Sequence, residues 1–259
     1  MDYNPGFDIT VDDRNMTFKY GRNTFGPEPE YRRLKDIRKS LLDPAAKGPD
    51  VLYSIAMDVG RSKDRDDLKR RMLLYGAVIY AKGKIGREPV RSQGHIHAIS
   101  PSSDSSTPEV YEIWDGEAIV YMQETAHDDP GRCFAVHAKR GDIVIVPPAW
   151  AHCTINADIH HTMTFGAWCI RDYSFDYKEI RAHKGLAFYP IVGHADQITW
   201  QRNDHYRKSG LQEQGPRSCR DFNLQKGVPV YKQYVDNRNL FDFVTEPMNH
   251  NDLWRNYQP

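Results

Sequence analysis

The sequence predicts an all-β chain folded as a double-stranded β-helix, or jelly-roll, barrel. Three observations carry this expectation. Short segments rich in Val, Ile, Tyr and Thr recur from residue 51 onward, at 51–57, 73–81, 110–113, 118–123, 133–138, 142–146, 153–156 and 162–169. Turn-forming stretches such as AKGK, WDGE, KRGD and NADIHH separate them. No helical segments alternate with the strands, which argues for an antiparallel barrel or sandwich and against a parallel α/β sheet.

Taken in order, residues 1–27 are polar with β-type patches such as 16–20. Residues 29–43 read as a short N-terminal helix. Leu34, Ile37 and Leu41 form its apolar stripe, and Arg32, Arg33, Lys35, Arg38 and Lys39 form a solvated basic face. The barrel then runs to about residue 200. Residues 58–70 and 203–227 read as loops. The stretches VPVYKQYV and LFDFV read as extended arms within a C-terminal extension, 201–259, that wraps the barrel or a partner subunit. No repeat of solenoid period is visible.

Composition excludes some functions. Lys plus Arg is 35 and Asp plus Glu is 35, so the chain has no general pull on nucleic acid or anionic lipid. An anionic ligand has to be held by a local site. No apolar run approaches a membrane span, and the first residues carry no basic-then-apolar leader pattern. Cys133, Cys153, Cys169 and Cys219 show no CxxC pairing, and three of them fall in strand segments. A reduced, cytoplasmic protein is expected.

The chemistry concentrates in GHIHAISPSSDSSTPEVYEIWDGEAIVYMQE and RGDIVIVPPAWAHCTIN. His95 and His97 are two apart, so on a strand both imidazoles enter the same face. Glu109 opens the next strand and turns at Gly116. Gly141 opens a strand that runs into Pro147 and Pro148, with His152 after the corner and Asn156 closing the unit. Three imidazoles and one carboxylate from neighbouring strands form a mixed N/O donor set for one divalent metal. Fe(II) is favoured and Mn(II), Ni(II) or Zn(II) are alternatives. Glu112, three residues from Glu109, faces away. His160 and His161 sit in a turn, His127 and His137 lack a same-face partner, and Cys153 points away from its neighbour His152.

Both spacings match the two halves of the cupin signature. The run GHIHA…EVYEIWDGEAIVYMQ…GDIVIVPPAWAHCTIN further resembles the cupin-type glucose-6-phosphate isomerases first recognised in archaea. PDVLYSIAMDV, AKGKIGRE and DYKEIRAHKGLAFYPIV extend the likeness across about residues 5–200, most densely in 84–156. The resemblance implies metal ligation by His95, His97, Glu109 and His152. It implies phosphate binding by the Gly94 backbone, the Ser92 hydroxyl, Tyr53 and Tyr177. Tyr111 would be an active-site tyrosine and Gln123 a polar residue of the barrel interior. Three departures stand out. The loop AISPSSDSSTP between His97 and Glu109 is longer than the family's. Gln93 stands where the family usually carries Lys. The closing segment reads YSFDYKE, without the family's histidine before its tyrosine.

The resemblance implies a metal-dependent aldose–ketose isomerase that interconverts glucose 6-phosphate and fructose 6-phosphate through an enediol. Glu109 would be its base, and a homodimer is expected. Since the chain has no basic cluster, the phosphate is expected to be held by hydrogen bonds alone. A different sugar isomerase or epimerase on the same barrel is the alternative. A cupin oxygenase and a non-catalytic sugar-binding cupin stand further off, because a fold and a metal site do not fix a function.

Overall fold

The β-rich segments form two facing sheets in the computed structural model, which describes residues 3–259; Met1 and Asp2 lie outside the described residues. The first sheet has six strands in the order Ile143–Val146, Glu109–Asp115, Met163–Ile170, Leu73–Tyr80, Val51–Met57 and Glu30–Arg33. The second has four, in the order Ala151–Asn156, Glu117–Gln123, Cys133–Lys139 and Leu211–Gln214. All pairings are antiparallel except that of Leu211–Gln214 with Cys133–Lys139. This is the cupin barrel, and its strands fall within a few residues of the sequence reading.

Alternation along the strands sorts three apolar layers. Tyr111, Ile113, Val120, Met122, Val144, Val146 and Phe165 fill the space between the sheets. Val110, Trp114, Ile145 and Trp168 face outward from the six-stranded sheet. Ile119, Tyr121 and Cys153 face outward from the four-stranded one. The chain changes sheet at Gly116, between Glu109–Asp115 and Glu117–Gln123. Its φ is +77° and an added Cβ would lie 2.8 Å from the Thr162 carbonyl oxygen, so only glycine makes this corner without strain.

Two segments differ from expectation. Residues 30–33 are not helical: they form a strand that pairs with Val51–Met57. The helix is only Leu34–Ile37, followed by a 3-10 turn over Arg38–Ser40. The open edge of the sheet supplies backbone partners that outweigh the helical pattern, while Leu34, Ile37 and Leu41 stay buried as their spacing implied. At the other end, the stretches expected as extended arms are the helices Val230–Asp236 and Asp242–Thr245. Val230, Tyr231 and Tyr234 lie on one face of the first and cover the outside of the six-stranded sheet. There Tyr231 stacks on Trp168, with ring centroids 5.3 Å apart and planes at 19°. The expected loop 58–70 contains a helix, Arg65–Arg70, and 203–227 contributes the strand Leu211–Gln214. Among the described residues no helix is long and apolar enough to cross a membrane, and all four cysteines are free and buried.

Candidate functional site

The HxH segment enters the barrel as a short antiparallel partner of strand Ala151–Asn156. The His95 amide donates to the His152 carbonyl at 3.0 Å, and the His152 amide donates to the His95 carbonyl at 2.9 Å. Directly opposed residues of a pair lie on one face, so the two rings come together, with centroids 4.3 Å apart. His97 follows on the same side, and Glu109 arrives from the six-stranded sheet. One ligand atom from each of His95, His97, Glu109 and His152 lies within 4.8 Å of the other three.

The tautomers of two rings follow from their partners. The Nδ1 atoms of His97 and His152 sit 2.9 Å and 3.1 Å from the carbonyl oxygens of Thr107 and Trp150. A carbonyl only accepts, so each Nδ1 carries a proton, and in the neutral ring Nε2 is the atom with a lone pair to offer a metal. Those Nε2 atoms lie 3.3 Å and 3.5 Å from Glu109 Oε2. The Nε2 atoms of His95 and His152 are buried without a hydrogen-bond partner. Unpaired buried acceptors converging with a carboxylate repel one another unless a cation lies among them. The residues therefore fit a divalent metal. Burial, reinforced by the neighbouring His152 and His97, pushes His95 well below its ordinary value and keeps it in the neutral form that ligates. Burial works to raise the Glu109 carboxyl; proton-bearing His152 and His97 nitrogens, or a cation held among them, outweigh it and hold Glu109 well below the usual carboxylate range. The carboxylate is thus ionised, as a ligand must be.

Tyr111, two residues along the strand from Glu109, donates its hydroxyl to Glu109 Oε2 at 2.6 Å. Burial, then the Glu109 charge, push this phenol well above its ordinary range, so it remains a donor. Tyr53, Ser92, Gly94 and Tyr177 line the same pocket as His95, Glu109 and Tyr111. Tyr53 is braced by stacking on Tyr80 at 4.8 Å. The Ser92 hydroxyl accepts from the Thr154 amide at 3.1 Å.

The structure does not bring Gln123 into this pocket. His152 is opposite Met122 in the strand register, and Met122 belongs to the inter-sheet layer. Gln123, one residue on, points the other way. Its amide oxygen accepts from the Ala187 amide at 2.8 Å and from Tyr121 Oη at 3.0 Å, and its amide nitrogen donates to the Thr125 carbonyl. Glu112, as expected, faces outward. It is buried there beneath the C-terminal segment and accepts from the Val230 amide at 3.0 Å.

Three features escaped the sequence reading. Arg32 lines the pocket beside Tyr53 and Tyr177. Phe175, two residues before Tyr177, packs on the His95 ring at 4.3 Å and on the His97 ring at 5.7 Å. The long loop between His97 and Glu109 is tied down. Ser100 Oγ donates to Asp172 Oδ1 at 2.6 Å, and the Ser102 amide donates to Asp172 Oδ2 at 2.9 Å. Its end supplies the Thr107 carbonyl that orients His97. Strand alternation at Glu30–Arg33 could have revealed Arg32; nothing in the sequence announces the Thr107 contact.

Comparison with known proteins follows the same residues. The profile of the family described as "Glucose-6-phosphate isomerase (GPI)" matches residues 32–209. The glucose-6-phosphate isomerase of Thermococcus litoralis is 29% identical over 162 residues, covering 60% of this chain and 76% of the relative. That of Pyrococcus furiosus is 27% identical over 168 residues, covering 62% and 80%. Among solved structures, an oxalate decarboxylase from Bacillus subtilis overlaps 48% of this chain and 27% of its own at 16% identity, with a TM-score of 0.35, too partial to bear on function.

Proposed function

The chain belongs to the glucose-6-phosphate isomerase family, and from that premise we propose that it is a metal-dependent aldose–ketose isomerase interconverting glucose 6-phosphate and fructose 6-phosphate. The observation that carries this reading is one pocket with two chemistries. A metal-ligating His/Glu set converges, and beside it Tyr53, Ser92, Gly94 and Tyr177 line the same pocket and offer donors to an anion.

His95, His97, Glu109 and His152 would hold one divalent ion, with Fe(II) favoured. Bound there, the ion supplies Lewis-acid stabilisation of the negative charge that develops on the sugar oxygens at C1 and C2. The remaining work falls to the chain. Glu109 takes the proton from C2 of the open-chain aldose and returns it to C1, passing through the enediol. The Tyr111 hydroxyl fixes the Glu109 carboxylate at 2.6 Å and can donate to a sugar oxygen as charge builds. Tyr53, Tyr177, the Ser92 hydroxyl and the Gly94 backbone hold the phosphate, which places C1 and C2 over Glu109. Phe175 sets an apolar ring against His95.

A coupled assay for fructose 6-phosphate isomerisation, before and after EDTA, tests the reading. Turnover that is lost with the metal and restored by adding it is expected; no metal-dependent turnover of any hexose phosphate rejects it. A second reading, an isomerase or epimerase for another sugar, draws support from Phe175 and Gln93, which leave a less polar site than the family pattern. A panel of phosphorylated and free sugars separates the two. The four buried free thiols support a reducing, cytoplasmic setting. A homodimer completes the proposal, and light scattering checks it.

A further inference from the structure

Arg32 stands opposite Tyr53 in the pairing of Glu30–Arg33 with Val51–Met57. Opposed residues share a face, so guanidinium and phenol enter the pocket together, facing Ser92, Gln93, Gly94 and Tyr177. Arg181 approaches Tyr177 as well. Its guanidinium lies 4.7 Å over the Tyr177 ring, and its Nε donates to Gln93 Oε1 at 3.1 Å. The Tyr177 phenol is pushed up by burial and pulled back by both Arg32 and Arg181, which places it within reach of two cations. Among the described residues Arg32 has one carboxylate partner, Glu30, at 2.9 Å. The Glu30 side chain is 71% exposed, and pairs of that kind are weak and easily exchanged. Asp36 is close enough to act on the Tyr53 phenol, and Glu109 lines the same pocket.

We propose that Arg32 supplies the positive charge that reads the substrate's phosphate, while Arg181 positions Gln93 and Tyr177 from the side. The inference rests on the sugar-phosphate reading above. Tyr53, Tyr177, Ser92 and the Gly94 backbone offer only neutral donors. A phosphate monoester is close to a dianion at neutral pH. Moving it from water into a pocket of neutral donors is costly unless a cation meets it. Arg32 is able to meet two phosphate oxygens with its planar fork, exchanging an exposed carboxylate for the ligand. The residue therefore sets the preference for a phosphorylated sugar over the same sugar without phosphate. It acts on binding rather than on proton transfer.

The test uses the full-length, metal-loaded protein with Arg32→Met and Arg32→Lys. Two readouts are taken: kinetics on fructose 6-phosphate, and inorganic phosphate titrated by calorimetry. Arg32→Met is expected to raise KM and to weaken phosphate binding by roughly tenfold or more, the scale of one lost charge-assisted hydrogen bond. The fall in kcat should be much smaller and metal content unchanged. Arg32→Lys, which keeps the charge and loses the fork, should recover part of the loss. Phosphate affinity in Arg32→Met equal to wild type overturns the proposal, as does a loss confined to kcat or to metal content. Should Arg32→Met not fold, Arg32→Lys decides: it must weaken phosphate binding. If the wild type turns over no hexose phosphate, the isomerase reading fails and the phosphate titration alone judges Arg32.

Discussion

The two ends of the pocket are built differently. The His/Glu set combines a short spacing, two histidines on one strand face with a glutamate opening the next strand, with one distant histidine paired backbone to backbone with the first. The opposite end comes from pieces far apart in the chain: Arg32 on an edge strand, Tyr53 on its neighbour, residues 92–94 on a loop, and Tyr177 after the barrel. The first end is rigid because strand alternation and two backbone carbonyls fix its rings. The second depends on which strand pairs with which. Ligands whose geometry is demanding sit on the first kind of framework, and an anion, which accepts donors from many directions, can be served by the second.

The largest expected effect tests whether the His/Glu end does chemistry as well as ligation. Glu109→Gln keeps an oxygen donor of the same size and removes the charge and the proton acceptor. Turnover at saturating metal should fall by roughly 10²-fold or more, while metal affinity falls moderately because three imidazoles remain. His97→Ala should act mainly through lost metal, so excess metal should recover part of its activity. Near wild-type turnover of Glu109→Gln on adding metal would show that Glu109 is a ligand only. Next in size is Tyr111→Phe, which removes the hydroxyl bonded to Glu109. A drop in kcat of about tenfold, with KM little changed, is expected for one charge-assisted hydrogen bond. A change confined to KM would move Tyr111 into the binding end.

How much of this was legible follows the same division. The barrel strands and the four metal-ligating side chains are readable, because period-2 alternation and HxH spacing are local properties. The opposite end was readable only in part. Tyr53, Ser92, Gly94 and Tyr177 follow from resemblance, while the helical spacing around it places Arg32 on a solvated face. The three apolar residues at helical spacing in 34–41 are indeed buried, and they drew residues 30–33 into the wrong element. The strand exists because the neighbouring strand offers a free edge, which no window around residue 32 contains. The C-terminal arms went wrong for a related reason. VPVYKQYV is rich in β-formers, yet its Tyr and Val residues match an aromatic surface on the outer sheet only when helical.

Away from both ends, Glu112 tests whether the outer face is independent of the pocket. Burial raises its carboxyl to about 7, against hydrogen bonds from Tyr3, the Val230 amide and Tyr75. The ordinary value applies when the chain is unfolded, so between that value and about 7 the native state holds a proton that the unfolded state has lost. Stability should therefore be full in acid and decline as pH rises to about 7, by on the order of 1 kcal/mol per pH unit. Glu112→Gln imitates the protonated form and keeps an acceptor for Val230. Its stability relative to wild type should grow from pH 5 to pH 8, as urea midpoints would show, with KM unaltered. A constant difference across that range would mean that Glu112 titrates normally.

The smallest effect on activity is expected at Gln123, and it decides whether strand alternation or family resemblance is the better guide there. If Gln123 touched the substrate, Gln123→Ala would raise KM and leave stability nearly untouched. In the structure its amide is consumed by the Ala187 amide, Tyr121 and the Thr125 carbonyl, on the side of the strand away from His152. Removing it strands the Ala187 donor and the Tyr121 hydroxyl in a fully buried place. That should lower stability by about 2 kcal/mol, seen as an earlier urea midpoint. Gln123→Glu keeps an acceptor for Ala187 and Tyr121 but aims a carboxylate at the Thr125 carbonyl, so it should be destabilised too. Both variants should retain the wild-type KM for fructose 6-phosphate and the wild-type affinity for inorganic phosphate. A raised KM without a stability change would place Gln123 in contact with the sugar and overturn the strand register as the guide to this pocket.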